Sequence, residues 1–176
     1  SIHHGMNAGE TFESILERAV RGGGDTDTVA AIAGSLAGAY FGTSRIPAKW
    51  RRVINGWPSL GYRDLLNLAV AAGRQEKLSS IAGWPQSEAM PGTYEDVWVQ
   101  HPHDDGLWMA SLTGLEKMPE DIDVVVSMCR VGTNQVAGAE VIEFWLIDEP
   151  GHNLDTGFVP EDAANTIAEL RAEGKK

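Results

Sequence analysis

The sequence predicts a mixed fold, in which an all-α segment is followed by an α/β segment. Between residues 10 and 72, apolar side chains recur with the i, i+3, i+4 and i+7 spacing of helices. Beyond residue 93, short apolar runs of strand length precede a terminal amphipathic helix. The charge divides in the same way, because residues 1–90 carry nine Lys or Arg and eight Asp or Glu, whereas residues 91–176 carry five and seventeen. Two modules of different origin are therefore expected.

The all-α segment is predicted to hold helices joined by short turns. The apolar spacing and the turn residues predict helices at Glu10–Arg21, residues 28–42, a segment that starts at Ile46-Pro47, and Arg63–Ala72. In the third of these, Trp50, Val53 and Ile54 are expected to pack inward. Arg51 and Arg52 are expected to stay solvated, with contact to a phosphate as the alternative.

The helix at residues 28–42 is built mainly from small residues. Ala and Gly dominate positions 30–39, so a neighbouring helix backbone can approach closely. Because Gly lowers the intrinsic helix propensity, such a helix forms best when it is buried. We therefore expect it to lie in the centre of an all-helical core. It is too short, and too closely flanked by charge, for a membrane span.

The second half is predicted to begin after a linker. Pro and Gly residues without clear periodicity predict the linker at residues 79–92, between an all-α domain at 1–78 and an α/β domain at 93–176. Strands are expected at residues 97–99, 107–110, 123–129 and 140–147, a short turn or helix at 115–119, and a helix at 160–173. The run at 123–129 is continuously apolar, which favours a strand buried on both faces of a parallel sheet.

Composition excludes several classes of function. The sequence contains one cysteine, so it has no internal disulfide framework, and a reducing, cytoplasmic location is expected. It shows no secretory signal and no apolar run of membrane-spanning length, so no membrane partner is expected. The net charge of −11 argues against nucleic-acid binding, which requires clustered cations.

The densest group of functional side chains lies in the stretch Gly22-Gly23-Gly24-Asp25-Thr26-Asp27-Thr28. Two carboxylates and a hydroxyl precede a helix, and together they form an all-oxygen ligand set suited to Mg²⁺. The plain alternative is a helix cap, since Asp and Thr are favoured at that position. The stretch is neither a P-loop nor an EF-hand, because the Lys and Glu that those motifs require are missing.

The motif GGGDTDTVAAIAGSLAGAYFG, followed by IPAKWRRVINGWP and RDLLNLA, resembles the C-terminal segment of the ADP-ribosylglycohydrolase family. The resemblance covers about residues 10–78. It implies an all-α fold and a two-Mg²⁺ centre that cleaves ADP-ribose from a modified side chain or small molecule. It also implies that Asp25, Asp27 and Thr28 are metal ligands.

The sequence departs from that family in one respect. The family's remaining metal ligands lie in a Thr-Asp-Asp-Thr stretch and a Gly-Asp segment near the start of its domain, and neither occurs here. Most of the glycohydrolase domain is therefore expected to be absent, and the chain alone is expected to be inactive. Either another chain supplies the missing N-terminal motif, or this chain is a non-catalytic piece that serves in binding or assembly.

Three motifs follow one another in the second half: DVVVSMCRVG, EFWLIDEPGHNLDTGF and a helix ending RAEGKK. Their order resembles the first half of a dual-specificity-phosphatase-like domain, and a phosphatase-like protein is the further alternative. By position, Asp148 matches the loop aspartate that acts as general acid in that family, although a plain loop aspartate is an equal alternative. Cys129 does not match the nucleophile and is expected to be an inert core thiol.

One further cluster contains metal-ligand residue types. His101, His103, Asp104 and Asp105 lie close together in a predicted turn. Histidines at i and i+2 do not complete a zinc set, and no further ligand group is visible in the sequence. A turn without metal is therefore expected there.

Overall fold

A computed structural model describes residues 9–74, 86–147, 149–153 and 156–176 of the chain. Its helices, which we number in chain order, are α1 (Phe12–Arg21), α2 (Thr26–Phe41), α3 (Ala48–Arg51), α4 (Tyr62–Arg74) and α5 (Phe158–Ala172). Its strands are β1 (Asn55–Gly56), β2 (Leu60–Gly61), β3 (Trp98–His101), β4 (Asp104–Ala110), β5 (Val124–Ser127) and β6 (Glu140–Glu143). Short 3-10 turns lie at Thr43–Arg45 and Thr113–Lys117. Mixed helix and strand content is thus confirmed, with helices dominating the first half.

Helices α1 and α2 form a hairpin through a shared apolar face. Helix α1 begins at a capping box in which Thr11 and Ser14 exchange side-chain and backbone hydrogen bonds. Phe12 and Ile15 of α1 pack against the buried Ala33 and Ala37 of α2. The helices approach so closely that a Cβ at Gly34 would lie 3.2 Å from Leu16 Cδ2. The small residues of α2 therefore permit the close contact that the sequence predicts.

The opposite face of α2 is exposed, so the prediction that this helix lies in the centre of an all-helical core is wrong for this structure. Four large apolar side chains of that face are 46–58% exposed: Val29, Ile32, Leu36 and Tyr40. Only Ala33 and Ala37 are buried on the helix. An apolar face of this length normally packs against another element. Among the described residues, no such element covers it.

The segment around α3 reverses two expectations about burial. Arg51 is only 2% exposed, although it was expected to be solvated. Val53 is 76% and Ile54 39% exposed, although both were expected to pack inward. The apolar partner of Trp50 is Phe12, whose ring lies edge-on at 6.2 Å between centroids. The helix ends at Arg51, so the helical register does not continue to Val53 and Ile54.

In the second half, the described residues form two separate sheets and one α-helix. Strands β3 and β4 form an antiparallel hairpin, and β5 pairs with β6 in parallel, from Val124 opposite Glu140 to Ser127 opposite Glu143. The predicted parallel pairing is confirmed. The predicted burial of β5 on both faces is wrong, because its three valines are only partly buried. A two-stranded sheet leaves one edge of β5 without a neighbouring strand in the described part of the chain.

The two halves meet in a common core. Ala48 of α3 is fully buried in a cluster with five residues of the second half: Ile142, Phe144, Val159, Ala163 and Leu170. The backbone N–H of Ala48 donates to Asp162 Oδ2 at 2.9 Å, and Ser44 Oγ accepts from the Trp145 N–H at 2.8 Å. The domain boundaries at residues 79–92 stay a prediction, but the two segments that they separate share an apolar interior.

Part of the predicted linker is docked on the second half. Ser87 and Thr133 exchange hydrogen bonds, with the Thr133 N–H donating to the Ser87 carbonyl at 3.0 Å and the Ser87 N–H donating to Thr133 Oγ1 at 2.8 Å. The side-chain amide of Gln135 likewise bonds both backbone groups of Met90, each at 2.9 Å. These contacts hold the C-terminal part of the predicted linker, from Ser87 to Met90, against the loop before β6.

The contact of this linker with Gly132 predicts a size limit at that position. A Cβ at Gly132 would lie 2.5 Å from Ala89 Cα and 2.6 Å from Ala89 N, so the linker backbone must move. We expect Gly132→Ala to lower the free energy of unfolding by about 1–3 kcal/mol. Urea denaturation monitored by circular dichroism measures this change.

The matched control is Gly73→Ala. Gly73 lies near the end of α4, where an added Cβ would have no neighbour within 4 Å. Because Ala is a better helix former than Gly, this substitution should raise the free energy of unfolding by about 0.5–1 kcal/mol. Equal effects of the two substitutions would contradict the assigned role of Gly132.

Among the described residues, no helix combines the length and hydropathy that crossing a bilayer would require.

Candidate functional site

The acidic loop lies between α1 and α2, and two glycines shape it. Gly23 and Gly24 both adopt left-handed backbone conformations, with φ of 72° and 76°. Residues with a side chain rarely adopt these angles, so the loop requires glycine at both positions. The backbone N–H of Thr26 donates to the Gly24 carbonyl at 3.0 Å, and the N–H of Val29 donates to the Asp25 carbonyl at 3.1 Å. The loop thereby places Asp25 at the N-cap of α2.

Asp25 occupies the cap position, but its side chain makes no capping hydrogen bond. The side chain of Asp25 is the main cause that lowers the pKa of Asp27 below its ordinary value. The backbone N–H groups of Thr28 and of Asp27 lower this pKa further. Two neighbouring carboxylates repel each other when both are ionised, and a bound cation would relieve that repulsion. The plain capping alternative therefore does not describe the Asp25 side chain.

The donor set fits a hard cation, but it is small. Asp25, Asp27 and Thr28 are all exposed at the start of α2, where they offer carboxylate and hydroxyl oxygens. The free N–H groups of the helix end are nearby and favour negative charge. Among the described residues, no three His, Cys, Asp or Glu side chains come together in a metal-binding arrangement. The loop thus supplies two carboxylates and one hydroxyl, which is fewer than the six ligands of octahedral Mg²⁺.

Of the residues singled out in the second half, those that the structure describes do not come together in a second site. Asp148 lies outside the described residues, so its role as a general acid stays a prediction. Cys129 is partly buried, and its Sγ lies 3.7 Å from Ser127 Oγ.

In the histidine turn, Asp104 is bound to Arg171 through both carboxylate oxygens, at 2.8 and 2.9 Å, so it is not available to a metal there. His101 Nδ1 accepts a hydrogen bond from the backbone N–H of His103 at 3.3 Å.

Sequence reasoning missed a buried ionic cluster between the two halves. Arg51 is 2% and Glu143 3% exposed, and the cluster also includes Asp162, Arg63 and the ring of Tyr62. Arg51 follows the buried Ala48 by three positions, which places both on one face of α3. That spacing is the signal that could have predicted the burial of Arg51. The contacts of this cluster stabilise the packing of the two halves, and none of its residues belongs to the acidic loop.

Comparison with known proteins supports a family resemblance for the first half. Residues 1–82 match the ADP-ribosylglycohydrolase family. The match lies at the N-terminal end of this chain and includes the acidic loop together with helices α1 to α4. It does not reach the second half, whose phosphatase-like resemblance has no support from this match and remains a prediction. No solved structure matches the chain.

Short segments of several characterised proteins are similar to this chain. ADP-ribosylhydrolase ARH3 from Bos taurus is 42% identical over 50 residues, which cover 27% of this chain and 14% of that protein. The Homo sapiens protein of the same name is 49% identical over 35 residues, covering 20% and 10%. ADP-ribosyl-[dinitrogen reductase] glycohydrolase from Rhodospirillum rubrum is 51% identical over 41 residues, covering 23% and 14%. The chain therefore aligns with only a small part of the length of each relative.

Proposed function

We propose that residues 1–82, which match the ADP-ribosylglycohydrolase family, are part of a Mg²⁺-dependent hydrolase that releases ADP-ribose from a modified side chain or small molecule. Relatives with similar segments carry the names ADP-ribosylhydrolase and ADP-ribosyl-[dinitrogen reductase] glycohydrolase. The observation that carries the proposal is the carboxylate of Asp25, which is exposed at the N-terminus of α2 without capping the helix, two residues before the exposed carboxylate of Asp27. Asp25, Asp27 and Thr28 are the proposed ligands.

The residues of the loop have distinct roles in this proposal. Asp27 has a lowered pKa, so it is ionised at neutral pH and ready to bind a cation. Asp25 supplies a second carboxylate, and Thr28 supplies a neutral oxygen from the first turn of α2. The left-handed glycines hold the loop so that these oxygens face solvent rather than the hairpin core. When bound, Mg²⁺ supplies Lewis acidity and a template that orients substrate and water.

The exposed face of α2 supports a second candidate, in which this chain is a non-catalytic piece or needs a complementing chain. Val29, Ile32 and Leu36 lie beside the acidic loop on the same helix, and each is about half exposed. The carboxylates and this apolar face would both be completed by further helices. The two candidates differ in whether the loop binds Mg²⁺ without such a complement.

Isothermal titration calorimetry with Mg²⁺ distinguishes the candidates. Measurable binding by the chain alone favours the first candidate, and no binding favours the second. With two carboxylates, the chain alone should bind Mg²⁺ weakly, with a Kd on the order of 1 mM. Asp25→Asn and Asp27→Asn should each weaken this binding by about tenfold, because each removes half of the anionic charge at the loop. Unchanged affinity in both variants would contradict the ligand assignment.

Glu17→Gln is the matched control, since Glu17 is an exposed carboxylate of α1 that lies outside the loop. It should leave Mg²⁺ binding unchanged. In a longer polypeptide that contains the remaining ligands, Asp25→Ala or Asp27→Ala should remove turnover and Mg²⁺ affinity together. Turnover retained in either variant would contradict the proposal. Activity that appears only when an N-terminal fragment is added would favour complementation.

A further inference from the structure

A pocket lies between α3, the start of α4 and β6. Its volume is about 300 Å³, at the lower end of the range of small-molecule sites. The charged and hydroxyl side chains that line it come from three arginines, one tyrosine and two acids: Arg51, Arg52, Arg63, Tyr62, Asp64 and Glu140. Both acids already accept hydrogen bonds, Glu140 from Arg52 Nε at 3.0 Å and Asp64 from the Gly61 N–H at 2.8 Å. The pocket therefore holds more cations than anions.

The buried Arg51 contributes donors that the protein leaves unpaired. Its side chain is 2% exposed, and its Nη1 donates to the Glu143 carbonyl at 2.5 Å. Nε and Nη2 are enclosed, and neither has a hydrogen-bond partner among the described residues. Asp162 Oδ2 lies 3.9 Å from Nη2, which is too far for a hydrogen bond. Nε and Nη2 together form the edge of a guanidinium that binds two oxygens of a carboxylate or phosphate side by side.

Tyr62, the first residue of α4, supplies a third unpaired donor at the same pocket. Its hydroxyl is enclosed without a hydrogen-bond partner in the described part of the chain, and its ring centroid lies 5.4 Å from the guanidinium carbon of Arg51. Burial raises the pKa of Tyr62, against a smaller opposite effect of Arg51, so the hydroxyl keeps its proton at neutral pH. Buried donors without an acceptor are rare and cost free energy, so we expect an acceptor that pairs all three.

The start of α4 adds donors of the same kind. The first N–H groups of a helix have no partner within the helix, and Gly61, which precedes α4, has no side chain to cap them. Helix α4 has 13 residues, so its dipole also favours an anion at this end. Gly61, Tyr62 and Arg63 all line the pocket. An anion in the pocket would therefore meet donors from both α3 and α4.

We propose that this pocket binds a tetrahedral oxyanion, either inorganic phosphate or the phosphate group of a small molecule. Two of its oxygens would pair with Nε and Nη2 of Arg51, and the others with the Tyr62 hydroxyl and the first N–H groups of α4. A carboxylate has only two oxygens, so it cannot pair with all of these donors. Because the donors are enclosed, binding requires a small side-chain shift of the kind common at binding sites. The inference is independent of the proposed glycohydrolase function, because the pocket includes no residue of the acidic loop.

Isothermal titration calorimetry with inorganic phosphate tests the inference on the full chain, without Mg²⁺ and at an ionic strength held constant with NaCl. Phosphate should bind with a Kd on the order of 1 mM. Acetate should bind at least about tenfold more weakly, because it pairs with fewer of the donors. Glycerol 3-phosphate separates the two sources of the group. Binding as tight as that of inorganic phosphate, or tighter, indicates a phosphate ester, whereas weaker binding indicates free phosphate.

Tyr62→Phe is the decisive variant, because it removes one donor and no hydrogen bond that the described structure makes. It should stay folded, as helical circular dichroism checks, and it should weaken phosphate binding about five- to tenfold. The matched control is Tyr94→Phe, the same change at a tyrosine that is 74% exposed and does not line the pocket. It should leave the affinity unchanged. Arg51→Lys keeps the charge but loses the guanidinium edge, so it should abolish measurable binding.

The Nε–H resonance of Arg51 reports on the site directly. It should shift as phosphate is added and should saturate with the Kd that calorimetry gives. Equal affinity of the Tyr62→Phe and unsubstituted chains would overturn the inference, as would acetate that binds as tightly as phosphate. It would also be overturned if no saturable binding occurred at phosphate concentrations about twentyfold above the expected Kd, since water would then be the partner of these donors. If Arg51→Lys does not fold, Tyr62→Phe and its control decide the inference alone.

Discussion

Replacing Arg51 by Ala is expected to lower the free energy of unfolding by about 3–5 kcal/mol, the range found when one partner of a buried ion pair is removed. Arg51 is 2% exposed and donates from Nη1 to the Glu143 carbonyl at 2.5 Å. Its guanidinium lies over the rings of Phe144, at 4.6 Å, and Tyr62, at 5.4 Å. The substitution removes these contacts and leaves a cavity between the halves. It also removes the cation 3.9 Å from Asp162.

Arg51→Met is the matched comparison, because it keeps most of the apolar volume and removes the charge together with the Nη1 hydrogen bond to the Glu143 carbonyl. Two nitrogens of Arg51, Nε and Nη2, are enclosed without a hydrogen-bond partner. The variant therefore loses the single hydrogen bond from Nη1, and we expect Arg51→Met to cost only about 1–2 kcal/mol. Urea denaturation measures both variants. A cost below about 1 kcal/mol for Arg51→Ala would contradict the structural role of this side chain.

The pH dependence of Arg51→Met gives a further check through Asp162. Burial raises the pKa of Asp162, while the Ala48 N–H and Arg51 act in the opposite direction. A carboxyl group with a raised folded-state pKa contributes stability at low pH that is lost as the pH rises through that pKa. Without Arg51 this pKa rises further. The deficit of the variant should therefore be smallest below the ordinary carboxyl range and should grow toward neutral pH.

The helices were predictable because their signals are local. The apolar spacing from Phe12 to Ala19 and the glycines after Arg21 fixed α1 within two residues of its observed ends. The burial of Arg51 was not predictable in the same way, because its contacts come from residues about 90 or more positions later in the chain. The exposed face of α2 has a related cause. The sequence shows that this face is apolar, but not whether the described chain contains a partner for it.

The sequence identifies only part of the candidate site, and its assignment as a metal site stays a prediction. Its three side chains lie within four consecutive residues, so their position at the start of α2 requires no distant contact. A complete metal site requires ligands from other elements, and their positions depend on the tertiary fold. The run at 123–129 shows the same limit. Its apolar composition predicts a strand, but the half-exposure of β5 depends on how many strands join the sheet.

Glu143→Ala is the second substitution with a large expected effect, about 3–5 kcal/mol of lost stability. Glu143 is 3% exposed, and its Oε1 accepts the backbone N–H of Val131 at 2.7 Å. The same oxygen lies 3.5 Å from Arg63 Nη2, and Oε2 accepts from the Trp145 indole N–H at 3.2 Å. Alanine would leave the buried N–H of Val131 without its acceptor and Arg63 without its counterion. Thermal and urea denaturation measure the loss.

Glu143→Gln separates the hydrogen bonds from the charge, since it keeps one acceptor oxygen and loses the other, and it should cost about 1–2 kcal/mol. Because Glu143 lies on β6 and Arg63 on α4, this carboxylate joins the two halves. If the halves unfold as one cooperative unit, Glu143→Ala should lower the protection of slowly exchanging amides in α1 and α5 by the same free energy. Loss of protection in α5 alone would mean that the halves unfold separately despite their shared core. In that case the predicted division into two domains would describe their stability as well as their sequence.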